Sequence, residues 1–81
     1  MLKLECDFND WTERGEFWLL RYEQLPLEQV AAALNLRSGV RVLLQQDPDD
    51  FIVEAELGFG FIALAMKEVW FAVPDWNTRK D

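Results

Sequence analysis

Apolar and polar residues alternate without interruption from Leu2 to Phe8. Leu2, Leu4, Cys6 and Phe8 fall on one side, and Lys3, Glu5 and Asp7 on the other. A period of two predicts a half-buried strand with one wet face. Asn9 to Gly15 is rich in turn residues and carries one isolated ring, Trp11. That ring either folds back on the core or serves as a contact residue. Glu16 to Glu23 predicts a second strand that is apolar on both faces, so it is covered on both sides or lies at an interface. Paired with the first strand, it makes a hairpin with a long loop.

From Leu25 to Gly39 the period changes. Leu27, Val30, Ala31 and Leu34 recur at helical spacing and form one apolar stripe. Pro26 suits a first helical turn, and Glu28 meets the positive end of the helix dipole. Arg37 and Gly39 supply a stop. The pattern predicts an amphipathic helix over about residues 26–36. Alternation resumes from Val40 to Gln46, breaks at Asp47-Pro48-Asp49-Asp50, and returns from Phe51 to Leu57. Pro at the second turn position and Asp at the first make this the strongest hairpin signal in the chain.

Gly58-Phe59-Gly60 interrupts that strand and suggests a bulge, a bend or a close backbone approach. Phe61 to Val73 fits two strands about a Lys67-Glu68 turn, or a helix. The β-branched and aromatic content favours strand through Met66, and Lys67-Glu68 onward fits a second strand or a short helix, with strand preferred. Pro74 is expected to end the element, leaving a polar tail that frays over residues 76–81. These elements predict one α+β domain over residues 1–81. Its sheet is an antiparallel meander of five to six strands, with the helix on one face against Leu4, Cys6, Phe8, Val42, Val53 and Ala55.

Composition changes this picture in two ways. Half of the 81 residues are apolar, with six Phe, four Trp and one Tyr. That is a rich supply for a chain that buries only about 60% of its unfolded surface, and a surplus points to a partner or a self-interface. Fifteen acidic against eight basic residues leave a net charge of −7. This argues against nucleic acid and anionic membrane as ligands, since both require cationic neutralisation. It suits a basic protein partner. One cysteine allows no internal disulfide, no signal-peptide pattern opens the chain, and no apolar run nears the roughly 20 residues of a membrane helix. The expected compartment is the cytoplasm.

Catalytic groups are scarce. The chain has no histidine, one cysteine and one serine, Ser38, at a helix end where serine commonly caps. With one Cys and no His, a structural zinc site is excluded. Asp47-x-Asp49 resembles the start of a calcium loop, but the sixth position holds Ile52 in place of glycine and the twelfth holds Gly58 in place of glutamate. No catalytic, metal or cofactor site is expected. What remains is a surface. Arg41 and Leu43 are expected to share an outer face with Ile52, Glu54 and Glu56, a mixed apolar and anionic patch suited to a protein with a basic rim. An Arg41–Glu54 or Arg41–Glu56 pair on that face is worth at most about 1 kcal/mol.

The candidate partner-binding residues are therefore Asp47, Asp49, Asp50, Glu54, Glu56, Arg41 and Trp11. The expected function is that of a small acidic, non-catalytic module of the inhibitor or immunity type, which neutralises or regulates a protein partner. The alternative is a homodimer, paired through Phe17–Tyr22 or Phe59–Phe71.

Overall fold

The computed structural model describes residues 1–81. Six strands form one mixed sheet: β1 Lys3–Glu5, β2 Arg21–Tyr22, β3 Leu25–Pro26, β4 Arg41–Gln45, β5 Ile52–Ile62 and β6 Lys67–Lys80, with one short helix, α1 Leu27–Val30. Their order across the sheet is β3-β2-β1-β4-β5-β6. The sheet is not the expected antiparallel meander, because β1 and β4 run parallel, Lys3 beside Leu43 and Glu5 beside Gln45. A parallel neighbour needs a long crossover, and residues 6–40, carrying β2, β3 and α1, provide it.

The β4–β5 hairpin forms as its alternation predicts. Val42 pairs with Ala55 and Leu44 with Val53, and all four are fully buried. Gln45 is buried as well. Its Nε2 donates to the carbonyls of Pro48 and Asp50, which ties down the turn that Asp50 N–H closes on Asp47 O.

The helix is far shorter than the expected 26–36. Pro26 is its N-cap and offers no side-chain oxygen to the first N–H groups. Beyond Val30 the chain continues in turns and stops at Asn35, whose φ is 54°. Asn35 N–H donates to Ala32 O and Leu36 N–H to Ala31 O, the paired bonds of a Schellman ending with Asn in the left-handed position. Gly39, expected to stop the helix, instead has φ 91° and brings the chain into β4 by donating to Leu57 O at 2.7 Å. Leu27 still joins Leu4, Cys6, Val42, Val53 and Ala55 in one buried cluster, while Val30, Leu34 and Phe8 pack against it half-exposed.

The second strand is also shorter than expected. Only Arg21–Tyr22 pairs with β1, at Glu5. The turn after it, Glu23 and Gln24, has both residues at positive φ, which is the tight hairpin geometry usually supplied by Asn-Gly. Gln24 N–H donates to the Glu5 carboxylate at 2.9 Å and steadies it. Upstream, Phe17 is buried and exchanges two backbone hydrogen bonds with Ala72, so this segment lies against β6.

Residues 61–73 are strand on both sides of a turn at residues 63–66, immediately upstream of the expected Lys67-Glu68 turn, whose two residues open β6 instead. Strand β6 passes through Pro74 and reaches Lys80, so the expected tail is sheet. The tolerance of Pro74 has a simple reason. Ala72 directs its N–H out to Phe17, and Pro74 has the same parity, so its missing N–H is on the outer edge and not in the β5 ladder. Gly58 makes room for Phe71: a Cβ there would lie 2.5 Å from the end of that ring and push it aside.

Cys6 sits in the core as expected. Burial pushes its thiol up to about 12, with Asp7 adding to the rise and Arg21 opposing it. Because the thiolate is the reactive form, Ellman's reagent at about pH 8 should leave the native protein unlabelled and label it fully in denaturant. The folded state holds this proton more tightly than the unfolded chain, whose value is 9.0. Its contribution to stability is therefore complete below pH 9 and is lost as pH rises toward 12. The urea midpoint should fall between neutral pH and about pH 10.5, and fall less in Cys6→Ala; equal falls in both proteins would contradict this.

Candidate functional site

The outer face of the β4–β5 hairpin is built by parity. Residues 41 and 43 on β4 alternate away from buried Val42 and Leu44, and residues 54 and 56 on β5 alternate away from Val53, Ala55 and Leu57. Register brings Arg41 opposite Glu56 and Leu43 opposite Glu54. Strand β6 adds two further residues, Asp75 beside Glu54 and Val73 beside Glu56.

Arg41 does not pair with the residue directly opposite. Its Nη2 donates to Glu54 Oε1 at 3.1 Å and lies 3.6 Å from Asp75 Oδ2. The Glu54 bond, reinforced by the charges of Glu54 and Asp75, raises the guanidinium above its ordinary range. One cation thus faces two carboxylates, and Glu56 is left exposed and unpaired beside exposed Val73. A bulge between Ile52 and Glu54 positions this corner. Thr78 Oγ1 accepts from Glu54 N–H and donates to Asp75 O, so Thr78 locks the two acidic residues in register.

Asp47, Asp49 and Asp50 are exposed on the turn at one end of the hairpin. They form no group of three that could hold a metal ion. Trp11 is not part of this face. It stands 56% exposed, stacks on Phe17 at 6.1 Å, and lines a groove of about 610 Å³ with Thr12, Arg14, Phe61, Ile62 and Leu64 near the β5–β6 turn.

Sequence reasoning misses Asp75 and Thr78, because Pro74 reads as a stop, and it places Val73 at the end of an element without bringing it beside Glu56. It also missed an aromatic cluster at the Asp50 end. Phe8 stacks on Phe51 at 4.6 Å, meets Phe17 edge-on at 5.3 Å, and Trp76 closes on all three rings at 6.1–6.3 Å. The guanidinium of Arg79 lies 4.1 Å from the Phe51 ring centre. The alternation of Phe8 and Phe51 with their neighbours was the only available signal.

No family model, curated protein or solved structure matches this chain. No helix is long and apolar enough to cross a membrane.

Proposed function

We propose that the chain is a non-catalytic binding module which engages a basic protein through the outer face of β4, β5 and β6. The observation that carries this reading is the charge imbalance around Arg41. That residue is already held by Glu54 and Asp75, so Glu56 and the turn carboxylates are free for an incoming cation. Exposed Val73 and half-buried Leu43 give the patch an apolar centre. An apolar centre with a charged rim is the usual composition of a protein interface. Asp47, Asp49, Asp50 and Glu56 stand open to solvent and not inside a closed apolar pocket, which favours binding over acid–base chemistry. The role is neutralisation or regulation of the partner. The proposed compartment is the cytoplasm, a reading that rests on a lone cysteine used in no disulfide.

Capture from lysate at low salt identifies the candidate partner, and titration calorimetry then measures its affinity. Asp49→Lys/Asp50→Lys and Glu56→Lys should each weaken binding at least about tenfold, and rising salt should weaken the unaltered complex. A partner whose affinity is indifferent to both substitutions and to salt would rule out this face.

A further inference from the structure

Strand β5 outruns its neighbour β4. The last bonds on that side are Gly39 N–H to Leu57 O and Leu57 N–H to Val40 O. Beyond Leu57, β5 continues to Ile62 with only β6 as a partner. Backbone direction alternates along a strand, so Phe59 and Phe61 share the outward direction of Leu57. Their N–H and C=O groups form an open edge. Unpaired edges are normally blunted by charge or proline, and this one carries neither. Phe59 and Phe61 are themselves 48% and 66% exposed, and Leu64 and Met66 in the adjoining turn are 68% and 84% exposed.

We infer that this edge pairs with the same edge of a second copy, antiparallel about a two-fold axis at Gly60. Phe59 then exchanges two backbone hydrogen bonds with Phe61 of the partner subunit, and Phe61 does the same with Phe59 of the partner subunit. This isologous contact closes as a dimer. Side-chain parity supports the register. Phe59 already packs on Trp70 at 5.1 Å on one face, so four phenylalanine rings and two tryptophans gather there, the pairing most favourable across strands. The four apolar side chains present roughly 500 Å² per chain, so burying this patch on both copies brings the contact to about the 1,000 Å² lower threshold of a specific interface.

Light scattering against concentration is the test, read with amide hydrogen exchange. The expected mass is twice 9.5 kDa, with the Phe59 and Phe61 amides exchanging at least about tenfold more slowly in the dimer than in dilute monomer. Phe61→Lys should give a folded monomer by circular dichroism. A mass of 9.5 kDa at every concentration overturns the inference. So does a dimer in which these two amides exchange freely, or one that Phe61→Lys leaves intact. Protection that appears only when a different protein is added assigns the edge to that protein and also overturns it.

Discussion

Replacing Phe17 with alanine is expected to cost about 3–5 kcal/mol, the range for a buried ring removed from a core. Phe17 is only 1% exposed and stands where three contacts meet. Its backbone exchanges two hydrogen bonds with Ala72, and its ring touches Phe8, Trp11 and Trp76 at 5.3–6.3 Å. The truncation empties a site walled by other large rings, which cannot collapse into it. A domain of this size has roughly 4–12 kcal/mol of total stability, so a loss of this magnitude removes a large share of it. Thermal denaturation should show the midpoint lowered by at least about 12 °C, given about 4–8 °C per kcal/mol at this length. Phe17→Leu keeps most of the apolar volume and should lose less than half as much. A midpoint within a few degrees of the natural protein for Phe17→Ala would mean that the segment before β2 does not hold β6.

Leu27→Ala is the second large effect, expected at about 2–5 kcal/mol. Leu27 is fully buried, and its N–H donates to Leu20 O at 3.0 Å, so it anchors the start of α1 to the segment that leads into β2. The helix has four residues and no side-chain N-cap. A helix so short has almost no stability of its own, and its position depends on this one side chain. Leu34→Ala, on the same stripe but half-exposed, should cost markedly less. Urea denaturation of the two variants separates the cases. Equal losses would show that the whole stripe is pinned, as in a longer helix.

The two variants mark where sequence reasoning was sound and where it was not. The apolar stripe correctly selected Leu27 as a core residue, because periodicity reports which face is buried. It did not report helix length. The helix ends at Val30 and gives way to turns closed by Asn35 in the left-handed conformation, and nothing local required that in preference to the expected stop at Gly39. The same division runs through the site. Arg41, Glu54 and Glu56 were placed on one face by alternation alone, and the β4–β5 register confirms it. Asp75 joins them only because β6 continues through Pro74. Proline reads as a stop in isolation and is harmless only on an outward-facing edge position, a fact of sheet order.

Trp11 illustrates the remaining gap. A tryptophan in a polar loop carries no directional signal, and its stacking on Phe17 follows from a hairpin closed by Thr12, whose N–H donates to Glu16 O. Local alternation thus determined the faces of β1, β4 and β5, the Asp47–Asp50 turn and the buried state of Cys6, because side-chain period and turn chemistry act over a few residues. The parallel β1–β4 pairing, the length of β6, the partner of Arg41 and the open edge at Phe59 and Phe61 were decided by tertiary structure. Each depends on which distant strand arrives alongside, and a backbone hydrogen bond carries no record of that in its own neighbourhood.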